Sequence, residues 1–190
     1  MGADYLTNPL VFLIETLFDL YVLAVMLRFL LQWVHADFYN PLSQFIVRVT
    51  APPLRPLRRL IPGTAGLDLA SLVLAWGVKS VELMLVLLVI GRGGQALGAL
   101  LWSLPELLAL VLNIFLFAIL IQAVLSWVQG GYHPLAGLLD RLTAPVLVPA
   151  RRLLPPMSGL DLSPMVAMIA IVLLKMLLLP PLKALTGSPF

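Results

Sequence analysis

Two stretches of the chain set out the same residues in the same order. Trp33, Asn40-Pro41-Leu42, Thr50-Ala51-Pro52, Pro56, Arg58-Arg59, Pro62, Gly66 and Asp68 return as Trp127, His133-Pro134-Leu135, Thr143-Ala144-Pro145, Pro149, Arg151-Arg152, Pro155, Gly159 and Asp161. One residue is lost between the tryptophan and the proline, and from there the offset stays at 93. Apolar segments flank each copy, so the unit is expected to be built twice, each copy burying what the other cannot.

The setting of that unit follows from composition. Hydrophobic residues make up 61% of the chain and charged residues 11%. A soluble domain carries roughly a quarter charged residues, so this chain cannot cover itself with a water-facing surface, and its solvent is a bilayer. Cysteine is absent, which removes disulfides and thiol chemistry. The segment at the start of the chain carries Asp4, lacks a basic region and is too long for a cleavable signal, so it is expected to stay as a span.

Four segments reach the length of about 20 residues that a helix needs to cross: roughly 9–34, 67–90, 100–128 and 162–179, the last expected to stop at Pro180-Pro181. None alternates with a period of two, so helices are expected rather than a barrel. The expected fold is an all-α integral membrane protein. Its four transmembrane helices form two parallel two-helix repeats, residues 1–98 and 99–190, with 91–98 a flexible Gly-rich connector. A pseudo-twofold axis along the membrane normal is the simplest way to relate them. Basic residues gather in the two repeated loops, which places those loops in the cytoplasm and both termini outside.

Each loop opens with a helical stripe. Leu42, Phe45, Ile46 and Val49 follow Pro41, and Leu135, Leu138, Leu139 and Leu142 follow Pro134, both at i, i+3, i+4, i+7. Interfacial amphipathic helices are expected over 41–50 and 134–143, apolar face in lipid, with Arg48 and Arg141 off the stripe toward headgroups. Asn40 suits the first as an N-cap. Beyond them Pro52, Pro53, Pro56 and Pro62, and Pro145, Pro149, Pro155 and Pro156, are expected to forbid continuous helix. Asp68 and Asp161 are expected to cap the next spans.

The unit of Trp, Asn-Pro, Thr-x-Pro, Pro-x-Arg-Arg-x-x-Pro and Gly-x-Asp-x-Ser, followed by a hydrophobic helix, resembles the YggT family of bacterial membrane proteins, and both halves carry it. The second copy ends closer to the pattern, with Asp161-Leu162-Ser163-Pro164. The first has Asp68-Leu69-Ala70-Ser71, and the second has His133 in place of asparagine. The resemblance implies a multi-pass protein of the bacterial inner membrane. Bacterial relatives are linked with cell division and envelope organisation or with osmotic stress. Chloroplast relatives are linked with thylakoid or nucleoid organisation and with cytochrome b6f assembly.

The first candidate site is the set of loop arginines, Arg48, Arg55, Arg58, Arg59, Arg141, Arg151 and Arg152. Guanidinium forks suit anionic headgroups or an acidic partner. The same residues serve equally as a topology signal, or as ties from Arg to the nearby Asp68 and Asp161. The second candidate is the set of charges inside the spans: Asp19, Lys79, Glu82 and Lys175. Charges in lipid are costly unless paired, so these are expected to face the bundle interior. Glu82 and Lys175 share a repeat position and are expected to pair across the axis. The near balance of signs favours structural pairing over a conducting path.

No metal site is expected from His35 and His133, which lack a neighbouring ligand. Trp33, Trp127, Tyr39 and Tyr132 suit interfacial anchors. The Gly-Arg-Gly-Gly run lacks the Lys-Ser/Thr of a phosphate loop, and no nucleophile has a base beside it. The chain is therefore expected to be non-enzymatic, to need no cofactor and to bind no nucleic acid. It is read as a scaffold or assembly factor that contacts anionic lipid, a membrane-protein partner or a further copy of itself. A small channel or transporter is the alternative, and a lipid-handling module a third.

Overall fold

The computed structural model describes residues 3–37, 39–61, 63, 67–128, 134–153 and 161–188. Pro62, Gly66, Tyr132, His133, Pro155, Pro156 and Gly159 lie outside them, as does the side chain of Trp127. Among the described residues six α-helices follow one another: α1 (Ala3–Trp33), α2 (Pro41–Leu60), α3 (Leu69–Val89), α4 (Ala99–Val128), α5 (Pro134–Leu153) and α6 (Ser163–Thr186). Helices α1, α3, α4 and α6 each contain a stretch long and apolar enough to cross a membrane. A helix closes its own backbone hydrogen bonds, which is what a segment with no water around it requires.

The spanning helices form a row. Helix α3 packs on α1 and on α4, and α4 packs on α6, whereas α1 and α4 meet only marginally. Among the described residues no packed seam joins α6 to α1. That corrects the expected pseudo-twofold: such an axis would pair α6 with α1 as α3 pairs with α4. The core lies along the inner sides of the row, one continuous cluster that takes in Val22, Val25, Met26 and Leu30 of α1, Ala75 of α3, Phe115, Ala118 and Ile119 of α4, and Ala167 and Ile171 of α6. Helices α2 and α5 both lie at the end of the row where α1 and α4 finish. There Ile46 and Leu138 share a cluster with Leu31 and Ala36.

Three helix limits differ from the sequence reading. Helices α2 and α5 continue ten residues past 50 and 143, and α6 runs through Pro180-Pro181 to Thr186. A proline inside a helix takes away the donor for the carbonyl four residues earlier. The carbonyls concerned belong to Arg48, Val49, Pro52, Arg141, Pro145, Met176 and Leu177, and all seven residues are exposed. The opposite faces hold the helices together, through Thr50 and Leu54 in α2 and through Thr143 and Leu147 in α5. At the end of α6, Lys183 pairs with Glu106 at 2.8 Å, and the Trp102 indole donates to the Thr186 carbonyl at 2.9 Å. These contacts fasten its last turns to the first turns of α4. Gly187, at φ 68°, then closes α6 in the left-handed conformation.

The connector also has structure, a single 3-10 stretch at Gly93–Gly98. Gly98 sits against the Trp102 ring, where a β-carbon would come within 2.6 Å of it.

Candidate functional site

The arginine end of the molecule is built from residues that the repeat places identically and then uses differently. In the first repeat Asn40 caps α2, its side chain accepting from the Leu42 amide at 2.9 Å. Arg28, near the end of α1, is buried; its Nη1 donates to the Thr50 hydroxyl at 2.8 Å and to the Val47 carbonyl at 3.1 Å. Thr50 in turn donates to the Ile46 carbonyl. Arg58 pairs with Asp68 and reaches Gln32 Oε1 at 3.4 Å, and Ser71 donates to the same Asp68 carboxylate at 2.6 Å. This network ties α2 to both α1 and α3. Burial alone would raise the Asp68 pKa, but the bonds from Arg58 and Ser71 and the charges of Arg58 and Arg28 together hold it below the usual carboxylate value.

The second repeat has the same plan with weaker chemistry. Gln122 stands where Arg28 stands, accepting from Thr143 at 2.6 Å and donating to Asp140. Arg151 meets Asp161 at 3.1 Å, and both are substantially exposed. The expected capping is corrected in the first copy and met from one residue further out in the second. Asp68 occupies the N-cap position of α3, yet its carboxylate makes no cap bond and goes to Arg58 and Ser71. Asp161 accepts the Ser163 amide at 2.9 Å from one residue outside the cap position of α6, which Leu162 takes.

Arg48, Arg55, Arg59, Arg141 and Arg152 are exposed and make no hydrogen bond or ion pair among the described residues. On α2 they fit a three-sided pattern. Ser43, Ile46, Thr50 and Leu54 face the protein, Leu42, Phe45, Val49 and Leu60 are exposed, and Gln44, Arg48, Arg55 and Arg59 form a second exposed strip beside them. A helix lying at a membrane surface needs these three environments, one against protein, one against acyl chains and one against headgroups and water. Ile46 is thus a core residue rather than part of the outer stripe.

Helix α5 departs from the pattern. Leu138 and Leu142, the counterparts of Phe45 and Val49, are both buried, Leu138 in a cluster with Leu31, Ala36 and Ile46 of the first half and Leu142 in the main core. Phe45 is 62% exposed and Leu138 is 7% exposed at one repeat position.

A second polar layer lies in the middle of the row. Asp19, Lys79, Asn113 and Lys175 each stand at or beside the midpoint of their helix. Lys79 Nζ meets Asp19 Oδ1 and Glu82 Oε1, both at 2.7 Å. Lys175 donates to Asn113 Oδ1 at 2.5 Å. Glu82 and Lys175 therefore do not pair with each other. Lys79, one turn from Glu82 on the same helix, takes the carboxylate that the repeat register assigned to Lys175. Each half instead joins an acceptor on its first helix (Asp19, and its counterpart Asn113) to a lysine on its second.

A crevice of about 370 Å³ runs between α1 and α4 over this layer, lined by Thr16, Asp19, Lys79, Glu106 and Asn113 among leucines. Toward the arginine end the space is filled by Val22, Val25, Met26, Phe115, Ala118 and Ile119, all buried. Sequence reasoning missed Arg28, Gln32 and Thr50 as members of the arginine network and Asn113 and Glu106 as members of the crevice. The repeat register carried a signal for one of them, since it aligns Asn113 with Asp19.

The CCB3/YggT family profile matches the chain twice, over residues 7–89 and 101–182. An uncharacterised protein of Pseudomonas aeruginosa is 49% identical over 97% of this chain and 95% of its own length. The uncharacterised YggT protein of Escherichia coli K12 is 37% identical over 89% and 88%. An uncharacterised protein of Vibrio alginolyticus, described by its place in the proC 3′ region, is 40% identical over 86% and 90%. No solved structure matches the chain.

Proposed function

This chain belongs to the CCB3/YggT family, and from that premise we propose that it is a non-enzymatic scaffold or assembly factor of the bacterial inner membrane. In this reading α2 and α5 lie at the cytoplasmic surface and both chain ends face outside. The exposed arginines hold anionic headgroups, or the acidic surface of a membrane partner laid over them. The observation that carries the reading is the exposed side of α2, with its apolar strip beside a strip of arginines that have no partner among the described residues. Arginines spent on internal ties, such as Arg58 and Arg151, leave others free for something outside the chain.

The chain has no native cysteine, so single labels report cleanly. A label at Phe45 should be quenched from the lipid phase and one at Arg55 from the cytoplasmic aqueous phase of intact membranes. Photo-crosslinkers at Arg55 and Arg59 should capture anionic lipid or a defined membrane protein. Aqueous quenching at Phe45, or reaction of Arg55 from the outer face, sinks the proposal.

The alternative, a small channel or transporter, draws on the crevice with Asp19, Lys79, Glu106 and Asn113. Its weakness is the packed layer from Val22 to Ile119, which interrupts any route between the crevice and the arginine end. Ion flux through liposomes holding the pure protein, lost in Asp19→Asn, would favour the alternative.

A further inference from the structure

The first repeat holds a pocket whose lining the second repeat changes. It lies between α1 and α2, encloses about 620 Å³, and is lined by Arg28, Gln32, Gln44, Val47, Arg48 and Arg58. Three guanidinium groups and two amides face one space, and no lining residue is acidic. Asp68 pairs with Arg58 and neutralises one of the three charges. Arg28 is 6% exposed, and its Nε has no hydrogen-bond partner among the described residues. An ionised donor left bare in so buried a place is costly unless an acceptor arrives from outside.

The duplicated half shows what the same architecture looks like without that demand. At the equivalent places stand Gln122 for Arg28, Ser126 for Gln32, Gly137 for Gln44 and Asp140 for Val47. There Gln122 donates to Asp140. The second repeat thus supplies its own anion on α5 and has a neutral amide where the first repeat has a buried cation.

We propose that the Arg28–Arg48–Arg58 pocket is a binding site for one phosphoryl group, presented by an anionic lipid headgroup or as free phosphate. A phosphoryl oxygen set matches several guanidinium donors at once, where a single carboxylate would leave some of them unmet. The inference rests on the reading of α2 as an interfacial helix and adds to it a defined pocket of one-to-one stoichiometry.

The test uses the full chain in phosphatidylcholine nanodiscs. One arm adds phosphatidylglycerol and counts tightly held lipid per protein by native mass spectrometry. The other titrates inorganic phosphate. Saturable binding of one equivalent is expected in at least one arm, and the arm identifies the source. Val47→Asp, which copies the second repeat's solution, should weaken that binding by about tenfold or more. Arg48→Gln should do so as well, and exposed Arg48 has no partner among the described residues to lose. Arg92→Gln, which removes an exposed charge at the opposite end of the molecule, should leave binding unchanged.

No saturable binding in either arm overturns the proposal. So does binding that Val47→Asp and Arg48→Gln leave intact, or that Arg92→Gln removes equally. The quenching labels at Phe45 and Arg55 separate the two claims. If they keep their depths while no anion binds, the pocket alone is refuted; if Phe45 is not in lipid, the interfacial reading itself falls.

Discussion

Lys79 holds two carboxylates at the middle of the row, one from its own helix and one from α1. Lys79→Met leaves both without their cation and should cost about 3–5 kcal/mol, as breaking a buried pair typically does. Adding Glu82→Gln should return part of that loss, measured as a double-mutant cycle on unfolding in bilayers. If the two losses simply add, the residues are not coupled. A matching pair of changes at Glu82 and Lys175 should by contrast be additive, because those two do not meet. At the arginine end Asp68 makes stability depend on pH. Its folded pKa lies below the unfolded value of about 3.9. The contribution is therefore complete above that value and is lost as pH falls through the lower, folded one. Thermal unfolding followed from about pH 6 to pH 3 should show a decline at the acid end that Asp68→Asn abolishes; an unchanged decline would mean other groups cause it.

Among the elements, α2 and α5 are the instructive pair, since one motif gives two environments. Leu138→Ser removes a core side chain and should cost about 2–5 kcal/mol. Phe45→Ser, at the same repeat position, should change thermal stability little in detergent. Equal losses would contradict the asymmetric packing. The helical stripe itself was legible from spacing in both copies, as was the Asn40 cap. What covers each stripe was not, because periodicity reports which residues share a face and not which neighbour arrives at it. The continuation of α2, α5 and α6 through their prolines was hidden for a related reason. The rule weighs the local cost of a lost amide, while the outcome depends on where the bare carbonyls face and on distant ties such as Lys183–Glu106. Gly98 offers a local check. Gly98→Ala pushes on the Trp102 ring, which is itself fastened to Thr186, so it should lower stability and shift tryptophan fluorescence, whereas Gly94→Ala, with open space around it, should do neither.

For the whole molecule, α2 and α5 share one end, and the start of α1 and the end of α6 share the other. Single cysteines at Arg55 and Val148 should therefore react from one side of the membrane, and those at Gly94 and Ser188 from the other; a split within either pair contradicts the architecture. The number of spans and their order were readable because hydrophobic length sets them. The open row was not, because an apolar helix surface reads alike whether it meets lipid or protein. The charge layer shows the same limit. The repeat register put Glu82 opposite Lys175, but a partner one turn away on the same helix is met before any axis is formed.

The exposure of α6 has a practical corollary. It is the least covered of the spanning helices, and the ties to α4 that reach its midpoint and far end are Lys175–Asn113, Lys183–Glu106 and Trp102–Thr186. Such bonds are firm where water is scarce and weaken where it competes. A harsh, short-chain detergent that lets water into its micelle should therefore peel α6 away first, exposing the segment to protease while α1 and α3 stay together. Gentle solubilisation would then decide whether a purified sample still carries its complete second half.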